Sequence, residues 1–443
     1  MPCVQIFFHY ENRHIYLLIF TILFGLGDIN AYLCILNISH MEIIRRQQYI
    51  EHILSVINKG MMLVLVGQRR VGKSYILLDL KRWIEENEPD SNILYLDKEH
   101  KIGDEIMDAD GLYRLANEKL PSEGRNYLLV DEVQNIENYQ DALRSLYAEH
   151  RCQIVVTGSN AYIYSSELGT RLGGRYIEIP IYSLSYTEFL VFHNLQDSEE
   201  SLHSYLRVGG LPGLRHFDIT DERQVSDYIQ GVYTTIMMRD VVERAKIRNA
   251  AFLTNLAKFV ADTTGKPVSP TNIANTMRSQ GEKITKAITA DYLEYMANAL
   301  VFKPVLRYDI HGKRLFEQNF KYYFTDHGIR NFLCGFKVRQ SIEKIMETVV
   351  WNYLQMQGFE ITIGELRNGE VDFVAERGEK RMYFQVTYLL GSQETIDREF
   401  GNLKAINDGY PKYVVSMDPI GGEVDGYPGI NHVRLRDFLK MQL

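Results

Sequence analysis

Gly67-Gln68-Arg69-Arg70-Val71-Gly72-Lys73-Ser74 follows the apolar run Met61–Val66 and leads into a helical period from Tyr75 to Ile84. Glycines at both ends of a strand-to-helix turn let successive backbone N–H groups point inward at a polyphosphate. Lys73 has the reach to hold the β- and γ-phosphates, and the Ser74 hydroxyl suits a hard cation such as Mg2+. The helix beginning here directs its positive end at the same anion. The pattern calls for a nucleoside triphosphate, ATP with Mg2+, and Gly67 through Tyr75 form the expected cradle.

A carboxylate pair supplies the other half of the chemistry. The apolar run Asn126–Val130 ends in Asp131-Glu132. An acid at such a strand end holds the metal through water, and a neighbouring glutamate orients the attacking water. Ser74 and Asp131 are therefore the metal candidates, and Lys73 and Glu132 the catalytic ones. A third apolar run, Gln153–Thr157, ends in Gly158-Ser159-Asn160. Ser159 or Asn160 at the carboxyl edge of a parallel sheet is placed to sense the γ-phosphate. Thr157-Gly158-Ser159-Asn160 also reads as ordinary turn chemistry.

These residues need a scaffold, and the pattern around them describes one. Strands at Met61–Val66, Ile93–Leu96, Tyr127–Val130, Ile154–Thr157 and Tyr176–Ile179 alternate with helical stretches. Alternation at this spacing predicts an α/β fold, a parallel sheet covered by helices on both faces. The chain has 443 residues, enough for two to four domains, with 45% hydrophobic and 24% charged residues. A net charge of −8 excludes global attraction to nucleic acid, so any such contact needs a local basic surface. Cys3, Cys34, Cys152 and Cys334 have neither disulfide-framework nor metal spacing and suit a reducing cytoplasm. The apolar stretch His14–Gly25 is shorter than a bilayer span and lacks the flanks of a signal peptide, so no membrane partner is expected. Residues 1–40 are expected to be a non-native extension or an apolar segment, outside the fold.

The predicted organisation is a nucleotide domain over 41–205, a helical linker or lid over 206–250, a module over 251–335 and a small α/β domain over 336–443. Within 251–335, three helical periods precede a hairpin around Asp309–Arg314, the order of a winged helix. Ser269-Pro270 opens the second of these helices as N-cap and first-turn proline. Between Ala250 and Lys321 ten Lys and Arg oppose six Asp and Glu. Lys283, Lys286, Lys313 and Arg314 are the DNA-contact candidates, before the third helix and at the hairpin tip. A solvated charged face is the competing reading.

From Met41 onward the chain resembles a prokaryotic group of P-loop ATPases in which an AAA_14 domain is joined to a DUF4143 C-terminal region, related to AAA-type and STAND-like ATPases. The resemblance rests on Leu-Val-Gly-Gln-Arg-Arg-Val-Gly-Lys-Ser, Leu-Val-Asp-Glu-Val-Gln, Val-Thr-Gly-Ser-Asn and Leu-Gly-Gly-Arg-Tyr-Ile-Glu-Ile-Pro. Gly-Gly-Leu-Pro, Met-Arg-Asp-Val-Val-Glu-Arg and Gly-Glu-Val-Asp-Phe-Val extend it. It implies that Arg175, with Arg171 as rival, is an arginine finger or sensor on the γ-phosphate. It also implies that the turn at Gly209-Gly210-Leu211-Pro212 packs by the nucleotide and couples it to the helices that follow. The expected partners are ATP, then DNA, with a homo-oligomer or protein partner as the alternative.

The last hundred residues read as helix, three strands, helix, strand, which resembles the core of restriction-endonuclease-like nucleases. Asp372 and the helical Glu347 match two of the acids that hold Mg2+ in that fold. The Glu-x-Lys position instead reads Gln385-Val-Thr387, lacking both an anion and a cation. A degenerate site without nuclease activity is expected.

Overall fold

The computed structural model describes residues 44–98, 106–159, 172–247, 249–312 and 314–443, and Arg46–Leu443 form one compact unit. The expectations for residues 1–40, Asn160, Arg171 and Lys313 lie outside the described residues.

The first sheet contains β1 (Met62–Val66), β2 (Asn92–Asp97), β3 (Asn126–Asp131), β4 (Gln153–Gly158) and β5 (Tyr176–Pro180). Their order is β2-β3-β4-β1-β5, and every pairing is parallel. Helices α1 (Gln47–Val56), α2 (Lys73–Asn87), α3 (Ala109–Lys119) and α4 (Tyr139–Ala148) cover it. Alternate residues of β1 divide between the two faces. Leu63 and Leu65 pack with Ile50, Ile76 and Leu80 of α1 and α2, while Met62, Val64 and Val66 pack with Leu112 and Leu143 of α3 and α4. Burial on both faces explains why these strands read as continuous apolar runs. The α/β architecture expected from the sequence is present.

Helices α5 (Tyr186–Phe192), α6 (Glu199–Val208) and α7 (Glu222–Thr235) follow, and α7 continues as a π-helical run over Ile236–Glu243. Then come α8 (Ala250–Asp262), α9 (Pro270–Ser279) and α10 (Lys286–Asn298). Ser269 caps α9 by accepting the Asn272 N–H, as its sequence predicts.

A second, mixed sheet begins with the hairpin β6 (Phe302–Asp309) and β7 (Arg314–Phe324). After α11 (His327–Leu333) and α12 (Ile342–Met356) it continues with β8 (Glu360–Leu366), β9 (Gly369–Arg377) and β10 (Lys380–Val386). Helix α13 (Gln393–Lys404), β11 (Lys412–Ser416), β12 (Ile430–Arg434) and α14 (Leu435–Phe438) complete it. The order is β12-β11-β10-β9-β8-β6-β7, and β6 pairs with β8 in parallel. The hairpin expected within 251–335 and the strands expected within 336–443 therefore belong to one sheet. One apolar core runs from Leu184 through Phe252, Phe302 and Trp351 to Leu439. β12 was not anticipated, because Ile-Asn-His-Val-Arg carries little apolar pattern.

Candidate functional site

Val66 ends β1 and the chain turns at Gly67. A Cβ there would lie 2.2 Å from the Ile181 carbonyl oxygen, so only glycine fits. Arg70 and Gly72 take left-handed backbone, with φ of 71° and 99°. Such residues curl the loop before α2 starts at Lys73. Lys73 is 4% exposed, and its ammonium donates to the Gly67 and Gln68 carbonyls at 3.0 and 3.1 Å. It also stands 3.6 Å from Glu132 Oε1.

Asp131 and Glu132 end β3, at the same carboxyl edge. Asp131 is 2% exposed and hydrogen-bonds to the Ser74 and Thr157 hydroxyls. Burial, despite these two hydroxyls, pushes its carboxyl up, and Glu132 and Asp97 add to the effect. Glu132 occupies left-handed backbone at φ 52°, with its N–H donating to Thr157 Oγ1 at 2.8 Å. Burial opposes its ionisation, but Lys73 and then Arg69 hold its carboxyl below the usual range. Gln134 Nε2 joins Glu132 Oε2 to Ser159 Oγ, the latter at 3.1 Å. Lys73, Ser74, Asp131, Glu132 and Ser159, assigned from separate stretches of sequence, thus converge. Thr157 and Gln134 were not singled out, although both lie inside quoted motifs.

The donor set fits Mg2+. Among the described residues no three His, Cys, Asp or Glu side chains form a metal-binding group. A cation here would rest on the Ser74 hydroxyl, the Asp131 carboxylate, phosphate oxygens and water, the ligands Mg2+ favours.

Two long-range contacts fix the loop. Arg46, 5% exposed, forks onto Glu188 with Nε and Nη2 both at 2.8 Å. Its Nη1 donates to the carbonyls of Val71 and Tyr182 at 3.0 and 2.8 Å. Glu188 is itself the third residue of a capping box with Ser185 at the start of α5. Arg69 forks onto Asp240 in the π-helical run, at 3.0 and 3.1 Å. Pro212 Cγ lies 3.8 Å from where a Cβ on Gly72 would sit, so the turn at Gly209–Pro212 does pack on the loop. Asp326 anchors that turn by accepting the Gly210 N–H at 2.9 Å. Tyr75 is 42% exposed. Among the described residues, neither polar atom of the buried Gln68 amide has a hydrogen-bond partner.

Arg175 does not join the site, which corrects its expected role within one chain. It precedes β5, and Tyr176 pairs with Met62 at the amino end of β1, whereas the loop follows Val66. A five-residue strand separates the two edges, roughly 16 Å at ~3.3 Å per residue. Arg175 lies instead over the Tyr147 ring, at 5.7 Å.

The other candidates divide. Lys283 and Lys286 are exposed, flanking the start of α10, and Arg314 begins β7. Three residues counted toward local basicity point inward instead. Lys321 is 2% exposed and pairs with Glu370, Arg307 pairs with Glu365 at 3.1 Å, and Lys303 reaches Gln355 at 3.4 Å. Asp372 and Gln385 are adjacent, Gln385 Oε1 accepting the Asp372 N–H at 3.2 Å. Thr387 is buried with its N–H on the Val415 carbonyl. Glu347 accepts from the Tyr323 hydroxyl at 3.0 Å. Burial pushes the Glu347 carboxyl up to about 7, with the Lys321 ammonium opposing. Lys321 is thus a cation beside Glu347 and Asp372 that sequence reading missed, because it comes from β7.

Fold and site together define a P-loop nucleotide-binding domain. Residues 59–190 match the AAA_14 family model, an AAA domain, and residues 199–340 match DUF8612, a domain of unknown function. The second match takes the place of the expected DUF4143. An uncharacterized protein of Haemophilus influenzae is 32% identical over 379 residues, spanning 84% of this chain and 93% of its own length. The chain belongs to the family of that protein. Uncharacterized protein MJ1544 of Methanocaldococcus jannaschii is 28% identical over 362 residues, 78% of each chain. Among solved structures, the Walker-type ATPase PABY2304 of Pyrococcus abyssi aligns over 67% of this chain and 97% of its own, at 16% identity and a TM-score of 0.46. No helix among the described residues is long and apolar enough to cross a membrane.

Proposed function

We propose that this chain is a Mg2+-dependent ATPase whose nucleotide state is passed through residues 206–250 to the C-terminal sheet. The observation that carries the reading is the convergence of Lys73, Ser74, Asp131 and Glu132 at one sheet edge. Lys73 holds the β- and γ-phosphates, exchanging two backbone carbonyls and Glu132 for phosphate oxygens. Glu132, freed from Lys73, accepts the proton of the attacking water while Gln134 and Ser159 keep its carboxylate oriented. Bound Mg2+, held by Ser74 and Asp131, would neutralise phosphate charge. An arginine from the β5 edge acts only on a neighbour's nucleotide, so the finger role of Arg175 goes with a homo-oligomer.

The test is ATP binding and turnover by two variants. Lys73→Ala should lose both, because no other side chain replaces its charge on the phosphates. Glu132→Gln should bind ATP yet turn over about 10²–10⁴-fold more slowly, since the amide keeps the shape without accepting a proton. Normal turnover by Lys73→Ala would remove the reading.

For the target, DNA is supported by exposed Lys283 and Lys286 at the start of α10. A protein-assembly switch is favoured by Lys303, Arg307 and Lys321 turning inward and by the hairpin's incorporation in a sheet. DNA binding measured against salt separates them, because phosphate contacts make affinity fall steeply with ionic strength.

A further inference from the structure

Arg69 sits within the phosphate loop, two residues after Gly67, yet both arms of its fork toward Asp240 are engaged. The pair is enclosed, with side chains 9% and 1% exposed. Asp240 continues the apolar stripe of α7, where Val225, Ile229, Val232 and Ile236 are buried on the same side. A carboxylate in that stripe is tolerated only while a cation meets it. The backbone at this point is also unusual: Ile236–Glu243 is π-helical, a geometry that is rare and concentrates where a helix serves a function. The widened turn keeps Ile236, Met237, Asp240 and Val241 buried together.

We propose that the Arg69–Asp240 pair is a nucleotide-responsive latch: triphosphate in the loop draws Arg69 from Asp240 and releases the π-helical end of α7. This rests on the nucleotide-binding reading above. One guanidinium edge forks with one planar anion at a time, and a triphosphate carries far more charge than a carboxylate. Asp240, once unpaired, cannot stay in an apolar stripe and must turn toward water. Loss of the extra residue in the π turn provides that movement, since each residue of register rotates a helix by about 100°. The π segment packs on α10, so its rearrangement passes directly to the region beside Lys283 and Lys286.

The full-length chain tests this with a non-hydrolysable ATP analogue and Mg2+. Asp240→Asn keeps the shape but releases Arg69, and should bind the analogue about tenfold more tightly. Arg69→Ala combined with Asp240→Asn should lose that gain. In the wild type, the analogue should speed amide hydrogen exchange over residues 236–247. A folded Asp240→Asn variant with equal or weaker affinity, or slower exchange over 236–247 on binding, overturns the latch. If Asp240→Asn does not fold, the wild-type exchange measurement decides alone. Failure of wild type to bind any nucleotide would remove the nucleotide reading and the latch together. Binding without these changes removes only the latch.

Discussion

Glu132 and Glu347 carry the same functional group into opposite electrostatic settings. Lys73 and Arg69 hold the first below the usual carboxylate range against burial, whereas burial pushes the second up to about 7 despite Lys321. The consequences for stability differ in sign. Glu347 keeps a proton in the folded state that the unfolded chain releases near pH ~4.3, so its contribution is full below that pH and lost as pH rises through about 7. Urea unfolding between pH 5 and 8 should show stability falling by about 1–3 kcal/mol, with Glu347→Gln flattening the slope and more stable than wild type at pH 8. A slope unchanged by Glu347→Gln would place the effect in other groups, Asp372 first, since it is raised in the same direction. At this scale the phosphate loop was legible because its chemistry is local: eight consecutive residues contain the turn, the cation and the hydroxyl. Arg46 and Asp240 were not, because their partners lie 142 and 171 residues away.

Among elements, the parallel strands were readable because burial on both faces writes them as apolar runs. The misplacement of Arg175 was correctable from the same topology. In a parallel sheet the residue before a strand lies at the amino edge and a loop after a strand at the carboxyl edge, so Arg175 and Lys73 cannot share one. What sequence could not give was how α1, α5 and the loop are tied together by one guanidinium. Arg46→Ala should leave Glu188 without its cation and Val71 without its donor, costing about 3–5 kcal/mol in unfolding free energy. Its ATP affinity should fall as well, because Val71 belongs to the cradle. Arg46→Lys, which keeps the charge but not the fork, should recover only part of either loss. Equal stability of Arg46→Ala and wild type would show that the clamp is dispensable.

For the whole molecule, the question is what the second sheet does. The acids Glu347 and Asp372 have a lysine near them after all, but Lys321 is already paired with Glu370. We therefore expect no DNA cleavage with Mg2+ or Mn2+, measured on supercoiled plasmid; cleavage lost in Asp372→Ala would reverse that assignment. If DNA is bound without cleavage, reversing Lys283, Lys286, Lys313 and Arg314 to Glu should weaken binding across all sequences and flatten its salt dependence. The exposed charges support that test, and the inward-facing ones limit how large the effect can be.

The shared core has a consequence for how the protein is made. The phosphate-binding sheet is complete once Pro180 has been synthesised, so it can close early. The next core cannot, because Leu184, Phe252 and Phe302 pack in one cluster with Phe438 and Leu439. At ~5–20 residues per second, a ribosome takes about 13–50 s to travel between those points. Through that interval the nascent chain carries a finished nucleotide domain joined to unburied leucines and aromatics, and β6 waits for the neighbour it will meet only when β8 emerges. A long exposure of apolar surface during synthesis is the cost of building the lid, the hairpin and the last strands around a single interior.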